Sequence, residues 1–272
     1  MAQHPPLAIH YAQRSDVGRQ RRVNEDTSAI LDITLSDGRS AVIAAVADGM
    51  GGAQAGAEAS RLAVHSALRV LRSRLRAALP LTNQQWETLL CDAIHSANQV
   101  VHRHARTQPE LHGMGTTLLL SVLWERRIHI AHIGDCRAYV VRPAARKPQI
   151  IQLTADHTVV AELVTQGAIS VADVANHRQR HQLARSLGPE AQIEPEVIAR
   201  TLRSGERVLL CSDGLPLHVS DGELARIITD APSPQVACDA LVECANARGG
   251  RDNVTVVVLA ADRQPGISPT SE

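Results

Sequence analysis

The chain has 272 residues, enough to bury a sizeable core as one large domain or two small ones. Its 28 Lys and Arg balance its 28 Asp and Glu, which excludes a global basic field directed at nucleic acid or an anionic membrane. The cysteines (Cys91, Cys136, Cys211, Cys238 and Cys244) are odd in number and never spaced Cys-x-x-Cys, which argues against a disulfide framework or a zinc knuckle; with no long apolar run and no secretory signal, a reducing cytoplasm is the expectation. Phe is absent, so the core must be built from Val, Leu, Ile and Ala.

In chain order, strands are predicted over Ala8–Ser15 and Ser28–Ile33, followed by a hairpin turn at Ser36-Asp37-Gly38 into a strand over Ala41–Ala47. Apolar residues at helical spacing predict a long helix from Ala53 to Leu79, stopped by Pro80. Thr82 with Gln85 is a capping box that opens a second helix over about 83–106. Short β-rich runs then predict strands over Thr116–Leu123, Arg127–Ile133 and Arg137–Val141, and a helix over Thr158–Gln166 ends at Gly167. The polar, poorly patterned stretch Ala168–Gly188 reads as a mobile flap. A strand over Arg207–Cys211, a short helix opened by Ser220 and Glu223, a helix from Ser233-Pro234 to about Ala247 and a strand over Asn253–Leu259 complete the domain, 1–262, with 263–272 read as a disordered tail. Two consecutive helices between blocks of strands predict an α+β fold of antiparallel sheets flanked by helices.

Acidic residues recur where apolar runs end, each beside Gly or Asn: NED at 24–26, ADGMGG at 47–52, IGDCR at 133–137, CSDG at 211–214 and GGRDN at 249–253. One Asp-Gly is ordinary turn punctuation. A set is different, because Asp48 and Asp213 each follow a strongly apolar strand and Asp252 sits at the mouth of the last one. Converging carboxylates make an oxygen-rich pocket, and without His or Cys beside them they favour Mg²⁺ or Mn²⁺ over zinc. A water held between two such ions is a hydroxide source near neutral pH. The chain lacks a Gly-x-Ser-x-Gly elbow, a catalytic Cys followed by an Arg loop and a Walker lysine, so the nucleophile is expected to be water. An Arg beside such a centre could clamp a phosphoryl group with its planar fork, and spacing alone leaves Arg19, Arg21 and Arg22 as candidates.

Seven segments in order and spacing (SDVGRQRRVNED, VADGMGGAQAGAEAS, GMGTTLLL, AHIGDCRAYVVR, LTADHTVVAELVTQGAI, VLLCSDGL and ARGGRDNVTVVVL) resemble those of the bacterial metal-dependent protein phosphatases, the PPM or type 2C family, over about residues 9–261. The resemblance implies a four-layer αββα sandwich with two metals in the cleft between the sheets. It implies that Asp48 bridges both ions, that the Gly49 carbonyl completes the first, and that Glu25, Asp213 and Asp252 bind the second. Asp26 would orient the water, with Asn253 supporting the ligands; Asp135, with Asp213, would hold a third ion; and Arg21 becomes the phosphate clamp. The implied reaction is one-step hydrolysis of phosphoserine or phosphothreonine by the bridging water, in a signalling role opposite a Ser/Thr kinase and its substrates.

Departures from the family pattern fall outside the ligands. Ala53 replaces the His of many bacterial GMGGH motifs, and Met50 stands where animal relatives have a His after the DG, so no His general acid is expected there. The flap carries HRQRH at 177–181 for the usual His-Pro-x-Arg-Asn, and SDGLPLHV lacks the polar pair usual after SDGL. His129 and His132 are read as structural or surface residues, and His157 as fixing the loop that leads into the flap. Two other readings stand beside this one: a phosphatase of the same fold acting on a phosphorylated regulator, and a catalytically dead scaffold, whose signature would be lost ligands. A haloacid-dehalogenase mechanism lacks its Asp-x-Asp nucleophile.

Overall fold

The computed structural model describes residues 7–34, 40–75, 81–144 and 146–263. Two antiparallel sheets lie face to face. The first takes the order β1 (Leu7–Asp16), β11 (Val254–Arg263), β10 (Arg207–Cys211), β7 (Arg137–Arg142) and β8 (Gln149–Gln152). The second takes the order β2 (Asp26–Thr34), β3 (Ser40–Met50), β5 (Leu118–Trp124), β6 (Arg127–Ile133) and β9 (Glu196–Thr201), with the two-residue β4 (Gly115–Thr116) added to the end of β3.

Helices α1 (Ala53–Leu75) and α2 (Asn83–Thr107) cover the outer face of the second sheet; α5 (Asp221–Asp230) and α6 (Pro234–Ala247) cover the first. This is the predicted αββα sandwich. Two short helices, α3 (Val159–Thr165) and α4 (Val171–Val174), lead into the flap region.

Side-chain alternation explains the layering. On β3, Ala41, Ile43, Ala45 and Ala47 pack in the core under α1, while Val42, Ala44 and Val46 join the core between the sheets. Leu119, Leu123, Ile128, Ile130, Val208, Leu210, Val257 and Leu259 fill the same inter-sheet space. With Phe absent, the seam between α1 and β3 is made largely of alanines, among them fully buried Ala59 and Ala63, which lets helix and sheet approach closely. Trp86 of α2 closes that layer against Trp124 and the ring of His129, at centroid distances of 6.0 and 5.0 Å.

The caps follow the sequence. Thr82 and Gln85 exchange their bonds at the start of α2, Ser220 and Glu223 do so before α5, and Ser233 caps α6 with Pro234 in its first turn. Several boundaries are corrected. The strand expected over Thr116–Leu123 breaks at Thr117, whose hydroxyl serves another segment. Strands β8 and β9 were not anticipated; both are sheet edges with exposed or half-buried side chains and no clean alternation. The segment 168–188, expected to be one loop, contains α4 and returns through bridges at Thr158–Leu183 and Thr116–Leu187. Strand β11 runs to Arg263, one residue into the expected tail, because Leu7 provides its backbone partner. The rest of that tail, the turn at 36–38 and the helix end at 76–80 lie outside the described residues.

The alanine seam predicts that Ala59→Leu overpacks the α1–β3 layer and costs about 1–3 kcal/mol. A urea midpoint that falls at unchanged slope would show it; an unchanged midpoint would mean that the seam can yield.

Candidate metal centre

The inter-sheet rows do not stay apolar to their ends. On β3 the row Val42, Ala44, Val46 continues to Asp48; on β10 the row Val208, Leu210 continues to Ser212. Asp26 begins β2 directly opposite Asp48 in the strand register. Alternation thus carries a carboxylate or hydroxyl from each strand into one space, where the sheets open to a cleft of about 1840 Å³.

Glu25, Asp48, Gly49, Asp135, Asp213 and Asp252 all line this cleft, with Arg21 and Asn253. The five carboxylates are half-buried, while Asp26 lies behind them, buried. Every site residue named from the sequence is therefore in one place.

Backbone bonds hold the ligand loops. The Asp48 amide donates to Thr117 Oγ1 at 2.8 Å, and its carbonyl accepts from the Thr117 amide and the Thr116 hydroxyl at 2.9 Å each. Glu25 accepts at its carbonyl from the Gly49 amide (3.1 Å) and Ser60 Oγ (2.6 Å), while its amide donates to Asn253 Oδ1 (2.9 Å). Asn253 also donates its side-chain amide to the carbonyls of Val17 and Val23, so one residue ties the Arg21 loop to the Asp252 turn. Ser212 Oγ donates to Asp26 Oδ2 at 2.7 Å.

The glycines of the two DG turns have a more specific role than giving a cation room. A Cβ at Gly49 would stand 2.0 Å from the Gly56 carbonyl oxygen of α1, and one at Gly214 would stand 2.0 Å from that of Asn253. Both turns need glycine because other backbone crosses there.

Charge is the dominant feature. Burial, then the neighbouring carboxylates, pushes Asp135 up to about 8 and Asp48 well above the usual carboxylate range. Burial pushes Asp26 up to about 7, against hydrogen bonds from Thr255 and Ser212, and it also raises Asp213 and Glu25. Glu25 Oε1 and Asp26 Oδ1 are buried and accept no hydrogen bond from the protein. Five acids crowd here, and one of them is paired with an arginine: Arg21 Nη2 donates to Asp252 Oδ2 at 2.8 Å. Such a cluster of oxygens, short of positive charge and with free lone pairs, fits hard divalent cations.

Sequence reasoning missed Thr117 and Ser212, whose hydroxyls brace Asp48 and Asp26; for Ser212 the signal available was its position beside Asp213 in CSDG, while Thr117 adjoins no named residue of the site. It also missed Arg180, Arg185, Arg251 and Leu217 as cleft walls. Of the two flap departures, His181 lines the cleft and Arg178 does not. Met50 directs its thioether toward Gly115, where an added Cβ would lie 2.7 Å from the Met50 Cε, so this position contributes apolar packing and no proton. His129 is stacked in the core as expected, and burial holds it, His132 and His157 down to about 4, hence neutral.

These features define a β-sandwich that gathers carboxylates at the mouth between its sheets, an oxygen-rich set of the kind hard divalent cations take. The sequence profile of the protein phosphatase 2C family matches residues 19–231. The serine/threonine phosphatase stp of Listeria monocytogenes is 34% identical over 255 residues, covering 93% of this chain and 96% of its own. The crystal structure of the Mycobacterium tuberculosis serine/threonine phosphatase PstP/Ppp superposes with a TM-score of 0.79 at 34% identity, over 93% of this chain and 99% of that one. The PstP catalytic domain in complex with 2 manganese ions superposes at 0.77, again 34% identical, covering 94% and 99%. The chain belongs to the protein phosphatase 2C family.

The raised carboxyl groups set a pH dependence. Their folded values, about 7 for Asp26 and about 8 for Asp135, exceed the unfolded value near 3.8. Between these limits the two carboxyl groups bind more protons in the folded chain than in the unfolded one, so their contribution to stability falls as pH rises, while the buried His129, His132 and His157 act in the opposite sense below about pH 6.5. In EDTA the melting temperature should decrease from about pH 6.5, above which His129, His132 and His157 are neutral in both states, to about pH 8, and Mn²⁺ should raise it more at pH 8 than at pH 5, because the cation displaces those protons. A melting temperature in EDTA that rises over this range would contradict the assignment.

Proposed function

We propose that this chain hydrolyses phosphoserine and phosphothreonine in proteins, with two divalent cations, Mg²⁺ or Mn²⁺, held by Glu25, Asp48, the Gly49 carbonyl, Asp213 and Asp252. Asp48 would be shared by the two ions, and Asp135 with Asp213 would hold a third. The observation that carries this reading is the convergence of five carboxylates in one cleft, with Arg21 bonded to one of them. When bound, the cations supply a water acidified to hydroxide near neutral pH and offset the charge on the phosphoryl oxygens.

The protein's own residues do the rest. Asp26, behind Asp48, has an uncommitted oxygen that can accept a proton-bearing group from the cleft while Ser212 fixes the other. Arg21 lies at the edge, half exposed, with its guanidinium anchored through Nη2 to Asp252; its remaining donors can take phosphoryl oxygens. Asn253 supports the site by locking the Glu25 and Asp252 segments together. Arg180, Arg185 and Arg251 line the same cleft, which suits an anionic phosphoprotein segment.

The phosphatase reverses a Ser/Thr kinase acting on the same proteins and works in a reducing, cytoplasmic compartment. Among the described residues no helix is long and apolar enough to cross a membrane, and all five cysteines are free thiols.

Hydrolysis of p-nitrophenyl phosphate and a phosphothreonine peptide, with Mn²⁺, with Mg²⁺ and with EDTA, tests the proposal. Turnover should require the metal, and Asp213→Asn should lower kcat by several orders of magnitude. Folded protein that binds Mn²⁺ yet turns over neither substrate would overturn it. Arg21→Ala should raise KM for the phosphate ester about tenfold, the scale of one lost charge-assisted hydrogen bond. An unchanged KM would remove Arg21 from phosphate binding.

A further inference from the structure

The loop that carries Asp135 is gripped from two sides. On one side is Thr117: Gly134 has φ 102°, and a Cβ there would stand 2.4 Å from the Thr117 Cγ2. On the other side is His157. Its amide donates to the Gly134 carbonyl at 3.1 Å, and its ring Nδ1 accepts from the Gly134 amide at 3.2 Å. One residue thus satisfies both backbone groups of the glycine before Asp135, while its own carbonyl accepts from the Ala184 amide of the returning flap at 2.9 Å.

The ring has no freedom to do otherwise. Its side chain is fully buried and stacks on His132 with centroids 4.5 Å apart. Accepting at Nδ1 leaves the ring proton on Nε2, which faces Glu196 Oε2 at 3.3 Å. The same bond decides another question. Donor atoms of His132, His157 and Glu196 lie within 4.8 Å of one another, a spacing a cation could use. The Nε2 proton of His157 occupies the lone pair that such a cation would need.

We infer that His157 is a positioning residue for the cation site at Asp135, acting through Gly134: the neutral ring fixes the peptide plane from which the carboxylate projects. The inference rests on Asp135 being a cation ligand. Residues that orient metal ligands without touching the ion change metal affinity about 10–100-fold when altered.

Two isosteric replacements separate the ring's two contacts. In His157→Asn the Oδ1 takes the place of Nδ1 and can accept from Gly134; in His157→Gln the amide reaches toward Glu196 and leaves the Gly134 amide unmet. Bound Mn²⁺ is counted by electron paramagnetic resonance titration, and the Mn²⁺ dependence of p-nitrophenyl phosphate hydrolysis is measured beside it.

His157→Gln and His157→Ala should weaken the last Mn²⁺ to bind about tenfold, and His157→Asn should recover most of that loss. In an Asp135→Asn background His157→Gln should cause no further loss of Mn²⁺ binding. Equal losses in both backgrounds, or equal behaviour of the Asn and Gln variants, would reduce His157 to a general packing role and overturn the inference. If Asp135→Asn alone leaves the Mn²⁺ isotherm unchanged, the ligand assignment fails instead, and the inference falls with it. Stoichiometric zinc in the purified protein, lost in His132→Ala, would contradict the tautomer and overturn it as well.

Discussion

The structure depends on one electrostatic constraint: carboxylates from five separated segments are forced together at the open end of an apolar sandwich. Loss of solvent around the acids, reinforced by their like charges, disfavours ionisation, which is why Asp48, Asp135, Asp213 and Glu25 are all displaced upward. The fold tolerates them because the rest of the inter-sheet space is closely packed aliphatic core and hydrogen bonds hold the segments that carry Glu25, Asp26 and Asp48. Thr117, Ser60, Asn253 and Ser212 supply those bonds. The unsatisfied element is charge, and divalent cations are the complement that the site is shaped to receive.

That arrangement ties function to the same physics that builds the core. The alternation that places Val42, Ala44 and Val46 between the sheets also places Asp48 there, two residues farther along. A one-residue slip of β3 against β2 would turn Asp48 under α1 and the alanine seam into the inter-sheet space, so register and the placement of Asp48 are one specification. The two glycines that follow Asp48 and Asp213 act in the same way. Each admits another stretch of backbone, and in doing so each draws a second ligand segment, Glu25 or Asn253, against the first.

Much of this is legible in the residues themselves. Apolar runs ending in NED, ADG, SDG and RDN mark strand ends with carboxylates, and the capping residues Thr82, Ser220 and Ser233 mark three helix starts that the structure reproduces. What was not legible depends on neighbours distant in sequence. Edge strands β8 and β9 lack the alternation of a half-buried strand because one flank has no partner. The break at Thr117 exists to serve Asp48, 69 positions away, and nothing local announces it. The flap region reads as patternless because its order comes from bridges to Thr158 and Thr116. Arg21 could not be separated from Arg19 and Arg22 by spacing; its contact with Asp252 separates them.

The central claim is that Asp48 stands between two divalent cations in this cleft. Diffraction from crystals of the protein grown with Mn²⁺, recorded at a wavelength where manganese scatters anomalously, tests it most directly. The account predicts two strong anomalous peaks flanking the Asp48 carboxylate, one also touched by Asp213 and Asp252. A single peak away from Asp48, or an empty cleft at saturating Mn²⁺, would contradict it.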